Sequence, residues 1–365
     1  MNELEEKFHK AFGSRGGLLD YKHHTKNSLL NQYLFAIRDF VGNVYSEINN
    51  APPLYIDVID NTSLNACATK VDNTYLIGIN YGTILVLRDL FMRMLANPNV
   101  LINYGNPDEE ILHNKVYNIQ LTEYVDISNI LGIGHSITPI SQFRGELASN
   151  LTLSSTLFLA MHELAHVVNG HVDYVSTSHS INIIEENYAG KFANPLVSQT
   201  LEMDADCFGI VINVRRILSI LKSDIPEFAK PLYKSFKDSI HLFSFSVYSL
   251  WRLFGMGEYN DEILDTYNYP PPGLRQFMSL STISTMFLVD GKPNEEISNA
   301  LNRAILDVET AFDAISEYQG TQRPIVFALT SNSQKHVDIV RRNWNNVRPL
   351  LEPFTLTKLA PYCSD

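Results

Sequence analysis

Helical spacing of apolar residues dominates the pattern of this 365-residue chain. Leucine, isoleucine, valine and phenylalanine recur every three or four positions over long stretches, which indicates amphipathic helices. The helices predicted in this way cover residues 28–49, 82–96, 154–169, 198–222, 230–254, 273–287, 294–317 and 333–350. Two short runs, 54–60 and 74–80, have the composition of strands instead. The pattern predicts an α+β protein that is mostly helical, with a small sheet near the front of the chain.

Between the predicted elements, two stretches lack periodicity. Residues 97–147 are irregular and rich in Asn, Gly and Pro, so we interpret this region as an insertion. Residues 172–197 are a second loop-like stretch. The helix between them is predicted to begin at Ser154 or Ser155 and to end before Gly170, a residue typical of helix C-termini.

The order of these elements suggests three parts of the chain. They are an N-terminal helical segment (1–50), a central domain (51–290) that contains the insertion 97–150, and C-terminal helices (291–365).

Composition and charge exclude several classes of function. Apolar residues make up 45% of the chain and charged residues 19%, which is typical of a folded protein. With 28 basic and 40 acidic residues, the net charge of −12 repels phosphate backbones, so we expect no nucleic-acid partner. Three scattered cysteines, the absence of a signal-like N-terminus and apolar stretches shorter than a bilayer predict a cytoplasmic protein without a membrane span.

Residues 162–166 read His-Glu-Leu-Ala-His and carry the most specific chemical signal. Side chains four apart share one face of a helix, so His162 and His166 would reach the same ion, with Glu163 beside them. Zinc is the expected ion because it takes imidazole and carboxylate ligands and leaves a position for water. Glu163 would be the general base that accepts the proton of that water. The alternative is a helix with two solvent-facing histidines.

A third ligand is expected from the next strong helix, where residues 202–206 read Glu-Met-Asp-Ala-Asp. Glu202 and Asp206 share a helix face. We therefore predict that Glu202 binds the metal and that Asp206 accepts a hydrogen bond from a ligand histidine, His162. This is the gluzincin arrangement. The alternative is a pair of exposed acids on a helix surface.

Positions 172 and 171 are two other candidates for the third ligand. The metzincin spacing requires Gly and His where this chain has Asn169 and Val172, so that class is excluded. His171 lies about 140° round the helix from His166, an awkward position for ligation, which predicts a structural or supporting role.

Together, these motifs resemble the HtpX and CAAX prenyl protease family of gluzincins, including its soluble members. Residues 162–171 (HELAHVVNGH) are similar to the family's HELGHxxxxH, and 201–209 (LEMDADCFG) to its E-x-x-A-D helix. Residues 269–280 (YPPPGLRQFMSL) are similar to its His-Pro-Pro-Arg segment, with Tyr269 in place of the His and Arg275 retained. Residues 65–85 resemble its Asn-Ala-Phe-Ala segment and the edge strand that follows. A weaker likeness is to cytoplasmic phage-exclusion peptidases such as Lit.

The resemblance implies a zincin core, in which a small sheet backs the active-site helix, and the cleavage of peptide bonds. Strand 74–80 is the candidate edge strand for an extended substrate, or else a core strand, and Asn65 and Ala66 beside it are candidates for substrate binding. Arg275 or Tyr269 is a candidate for stabilising the oxyanion, although such an arginine is often only a salt-bridge partner.

The sequence thus predicts a zinc metalloendopeptidase that acts on a protein or peptide. Two other classes stay open: a catalytically silent scaffold on the same fold, and a zinc hydrolase of a non-peptide amide. The insertion 97–150 directly precedes the active-site helix, so we expect it to be either a lid over the site or a surface excursion remote from it. The sequence does not indicate an oligomeric state.

Overall fold

A computed structural model describes residues 1–20, 29–113, 137–179, 183–185, 194–223, 233–254, 259–315 and 323–363. The strands are β1 (Leu54–Ile59), β2 (Ala66–Val71), β3 (Thr74–Asn80) and β4 (Ile183–Glu185). The helices are α1 (Glu3–Ala11), α2 (Leu29–Ser46), α3 (Tyr81–Leu95), α4 (Gln142–Val168), α5 (His171–His179), α6 (Pro195–Lys222), α7 (Phe236–Phe254), α8 (Pro272–Met286), α9 (Glu295–Ile315), α10 (Pro324–Ala328) and α11 (Ser331–Leu351). The described chain is mostly helical with a small mixed sheet, which confirms the predicted α+β class.

The four strands form one sheet in the order β1-β3-β2-β4. β1 runs parallel to β3, whereas β2 is antiparallel to both β3 and β4. Of the two alternatives for residues 74–80, the core strand is observed and the edge strand is not, because β3 is flanked on both sides and all of its residues are buried. β2 is an additional strand, joined to β3 by a tight turn in which Asp72 has a φ of 52°.

Each face of the sheet is covered by helices. On one face, Ala66 and Ala68 of β2 pack in the same apolar cluster as Leu164 of α4 and Ile37 of α2. The opposite face, which includes Cys67, packs against Phe8 and Phe12 at the N-terminus of the chain. The small alanine side chains of β2 let α4 lie directly on the sheet.

A second apolar cluster forms among the helices on the far side of α4. It contains large rings from three helices: Phe91, Phe158, Phe245 and Trp251. α9 packs on α7, α11 packs on α6, and α10 packs on α8. Helices from the predicted N-terminal and C-terminal segments thus lie directly against the central part of the chain.

α4 is the central helix, and its N-terminus differs from the prediction. It begins at Gln142 rather than at Ser154 or Ser155, and the hydroxyl of Ser155 instead donates to the carbonyl of Ser246. Its C-terminus is as predicted: Asn169 is the cap and Gly170 adopts a φ of 81°.

Because it extends over 27 residues, α4 is long and apolar enough by composition to cross a membrane. It is the one such helix among the described residues. In its most apolar window 89% of the residues are buried inside the protein, and core helices of soluble proteins have the same length and composition. The expectation that every apolar stretch is too short for a span is corrected on this point.

The stretch predicted as a loop, 172–197, contains regular structure. α5 covers its beginning, β4 lies in the middle, and α6 begins at Pro195, three residues before the predicted start. Asn194 caps α6 by accepting a hydrogen bond from the backbone N–H of Leu196.

The described part of the insertion docks at the N-terminal end of α4. The buried guanidinium of Arg144 donates hydrogen bonds to five carbonyls that precede it in the chain, those of Leu95, Asn97, Val100, Leu101 and Tyr104. Arg144 is 18 residues before His162 in the same helix, which corresponds to about 27 Å. Residues 97–104 therefore lie far from the predicted metal site, while residues 114–136 of the candidate lid lie outside the described residues.

Candidate metal centre

Three predicted ligands converge in the interior of the protein. Nε2 of His162 lies 3.0 Å from Nε2 of His166 and 3.4 Å from Oε2 of Glu202. Nε2 of His166 lies 3.6 Å from Oε1 of Glu202. All three side chains are buried. The predicted grouping of His162, His166 and Glu202 is present in the structure.

The spacing of these atoms fits a tetrahedral metal ion. A tetrahedral ion with bonds of about 2.0–2.1 Å separates its ligand atoms by about 3.3 Å. The two nitrogens lie 3.0 Å apart, and each is 3.4–3.6 Å from a different oxygen of Glu202. Two imidazoles and one carboxylate, concentrated in an apolar interior, form a group that could hold a metal ion. Burial first, and then the neighbouring His162, His171 and Arg275, hold the pKa of His166 well below its usual 6.5. The neutral imidazole favoured in this way is the form that binds a metal.

The geometry follows from two helices that cross. α4 places His162 and His166 one turn apart on the face toward α6. α6 contacts α4 extensively and presents Glu202 and Asp206, also one turn apart, to the two histidines. Gly209, one turn further along α6, permits this close approach, since a Cβ there would lie 3.1 Å from the ring of Phe158.

The Nδ1 side of the His162 ring, away from His166 and Glu202, contacts charged groups. Its Nδ1 lies 2.9 Å from Oδ1 of Asp206, as predicted. Arg275 of α8 donates from Nε and Nη2 to the two oxygens of Asp206, at 2.8 and 2.7 Å. The guanidinium also stacks on Trp251, with 3.7 Å between its carbon and the ring centroid. Asp206, held by these two hydrogen bonds, fixes the ring of His162.

His166 has a different environment. Its Nδ1 lies 3.0 Å from Nδ1 of His171, the first residue of α5. Nε2 of His171 in turn lies 3.2 Å from Oδ2 of Asp204. The supporting role predicted for His171 agrees with this contact. The sequence analysis does not assign a role to Asp204. Its position two residues after the predicted ligand Glu202 places it on a different face of α6, toward the end of α4.

Glu163, the predicted general base, is 1% exposed and follows His162 in α4. It lies close enough to Cys67 of β2 that its charge, after burial, raises the pKa of that thiol well above 9. Glu163 is thus buried where α4 faces the sheet.

The remaining predicted site residues lie in three places. Arg275 lies on the Nδ1 side of His162, paired with Asp206, and Nη2 is also 3.4 Å from Oε2 of Glu202. Tyr269 is half-buried in the segment that leads into α8. Asn65 precedes β2 and binds its own neighbourhood: its carbonyl accepts from the hydroxyl of Thr83, and its Oδ1 accepts from the backbone N–H of Ala66. The oxyanion and substrate roles of these residues stay predictions.

Comparisons with models of known protein families, with curated proteins and with solved structures give no match. The metal-site motifs are therefore interpreted from this chain's own geometry.

Proposed function

We propose that this protein is a zinc-dependent peptidase with a gluzincin-type centre on a zincin core. The observation that carries the proposal is the triangle of His162, His166 and Glu202, with Asp206 bonded to the first histidine. A small sheet that packs on the active-site helix adds support, as does the buried acid Glu163 next to a ligand.

In the proposed mechanism, His162, His166 and Glu202 would hold zinc, with Asp206 and Arg275 fixing the orientation of His162. Zinc held by these residues would supply a polarised water molecule with a pKa of about 7. Glu163 would accept the proton of that water during attack on the peptide carbonyl and would deliver it to the leaving amine. Glu163 is 1% exposed, so it is largely shielded from bulk water, which would strengthen its interaction with the reacting atoms.

Metal analysis combined with digestion of a peptide library tests this function. The purified protein should contain about one zinc ion per chain, and His162→Ala and Glu202→Ala should lose it. Glu163→Gln should keep the zinc and the fold but lose nearly all cleavage, because an amide does not accept a proton.

The outcomes separate the three classes of function. Zinc without cleavage of any peptide, but with turnover of small amides, would indicate a non-peptide hydrolase. Zinc without any turnover would indicate a scaffold. Stoichiometric zinc in Glu202→Ala would show that Glu202 is not a ligand, and a fully active Glu163→Gln would exclude Glu163 as the base.

A further inference from the structure

The two histidine ligands are supported by different chemistry. His162 faces a carboxylate directly, whereas Nδ1 of His166 faces another imidazole, that of His171, at 3.0 Å. A histidine that binds a metal through Nε2 carries its proton on Nδ1. His166 is therefore the donor in this pair, and Nδ1 of His171 has to be the acceptor.

This direction fixes the tautomer of His171. If Nδ1 accepts, the ring proton is on Nε2, which lies 3.2 Å from Oδ2 of Asp204. The contact is bent away from the geometry of a hydrogen bond, but attraction to the carboxylate still favours the proton on Nε2. With Asp204 on the Nε2 side of His171, the lone pair of Nδ1 is available to accept a hydrogen bond from His166.

Asp204 is itself anchored. The side-chain amide of Asn169 donates to Oδ2 of Asp204 at 2.6 Å. The hydroxyl of Thr357, in the segment after α11, donates to Oδ1 of Asn169 at 3.2 Å. A continuous row of polar contacts therefore leads from His166 to the C-terminal part of the chain.

We propose that His171, with its tautomer set by Asp204, is a positioning residue for the metal ligand His166. The proposal rests on the metal site described above. His171 holds the ring of His166 so that Nε2 points to the ion, and the hydrogen bond makes that nitrogen a stronger ligand. Loss of such support typically weakens metal binding by about 10–100-fold.

Two substitutions of His171 separate positioning from packing. His171→Leu fills much of the same space without an acceptor, and should weaken zinc binding by about 10–100-fold. In His171→Asn the side-chain oxygen replaces Nδ1 as acceptor, so most of the affinity should return. Competition with a chromophoric chelator measures zinc affinity, and the visible spectrum of the Co²⁺ form reports the ligand geometry of each variant.

His241→Leu is the matched control, because His241 is buried in a similar arrangement away from the metal. Its Nδ1 lies 2.9 Å from the hydroxyl of Tyr104, and its Nε2 lies 2.9 Å from Oδ2 of Asp307. This variant should lower the free energy of unfolding of the metal-free protein and leave zinc affinity unchanged. If His171→Leu does not fold, Asp204→Ala replaces it and should weaken zinc binding by about 10-fold.

The outcomes are distinguishable from a failure of the proposed function. If wild type binds zinc and His171→Leu binds it equally well, the positioning role is overturned while the metal site stands. If His171→Leu and His171→Asn lose the same zinc affinity and their Co²⁺ spectra are unchanged, His171 contributes only packing, and the positioning role is also overturned. A wild-type protein that binds no zinc overturns both proposals.

Discussion

At the scale of single residues, the candidate metal centre contains a buried charge pair, Asp206 and Arg275. Asp206 and Arg275 are both almost completely buried, and two hydrogen bonds join them. Removing one partner of a buried pair leaves the other charge without compensation, which is far more costly than losing a surface pair.

Arg275→Met should therefore lower the free energy of unfolding of the metal-free protein by about 3–5 kcal/mol. Urea denaturation measures this change. Arg341→Met is the control, because Arg341 pairs with Asp338 on the surface and its loss should change stability by less than about 1 kcal/mol. A folded Arg275→Met with wild-type stability and a strongly reduced kcat would instead favour the oxyanion role.

The residues of the candidate metal centre could be predicted from the sequence because their spacing along each helix places them on one face. His162 and His166, like Glu202 and Asp206, are four apart, so each pair shares a face wherever its helix lies. The role of Arg275 depends on how α8 approaches α6, which no local spacing encodes. The role of Asp204 also depends on tertiary structure, because its contact with His171 requires the turn at Gly170 and the helix α5, which the sequence does not predict.

At the scale of elements, side chains with several hydrogen bonds hold the helices together. Gln199 of α6 donates to the carbonyls of Leu264 and Tyr267, so its oxygen is the acceptor for His336 of α11, at 2.6 Å. His336 is buried, and burial lowers its pKa below 6.5. This contact joins α11 and the segment before α8 to the helix that carries Glu202.

The depressed pKa of His336 has a predictable effect on stability. The unfolded chain binds a proton at this histidine near pH 6.5, while the folded protein binds it only at lower pH. The stabilising contribution is thus complete above pH 6.5 and is lost as the pH falls toward the folded pKa. In urea denaturation of the metal-free protein at pH 7.5 and 5.0, His336→Gln should show a smaller decrease in free energy of unfolding than wild type. An equal decrease would contradict the assignment.

Element type was easier to predict than element boundaries. Long periodic stretches such as α6 and α11 were predicted within a few residues. The start of α4 was misplaced by twelve residues because Ser154 and Ser155 suggest an N-cap, yet Ser155 is buried against α7 and bonds to Ser246. The sequence does not predict β2 although Ala66 and Ala68 alternate before the turn, because these small residues give a weak hydrophobic signal and the next alternate position is Lys70.

At the scale of the whole molecule, the end of α4 is closed by residues distant in sequence. The backbone N–H of Leu356 and the hydroxyl of Thr355 both donate to the carbonyl of Val168, at 2.8 and 3.1 Å. Gly170 allows this segment to approach, since a Cβ there would lie 2.8 Å from the carbonyl carbon of Phe354. The C-terminal segment thus caps the helix that carries His162 and His166.

Gly170→Ala should displace this segment and destabilise the protein by more than about 1 kcal/mol, since it combines a left-handed backbone with a steric clash. Thermal unfolding and limited proteolysis of residues 352–363 measure the effect. Gly145→Ala is the control: it lies within α4 with nothing within 4 Å of the added Cβ, so it should stabilise slightly. Equal behaviour of the two variants would show that the segment does not pack on Gly170.

The same capping contact has a consequence for biosynthesis. Thr357 and Asn169 are 188 residues apart in sequence. At about 5–20 residues per second, a ribosome adds the capping segment roughly 10–40 s after it has made α4. During that interval the carbonyl of Val168 at the end of α4 lacks its hydrogen bonds from Thr355 and Leu356. Asn169 likewise lacks its hydrogen bond from Thr357. We therefore expect nascent chains to acquire a fully supported metal site only late in translation.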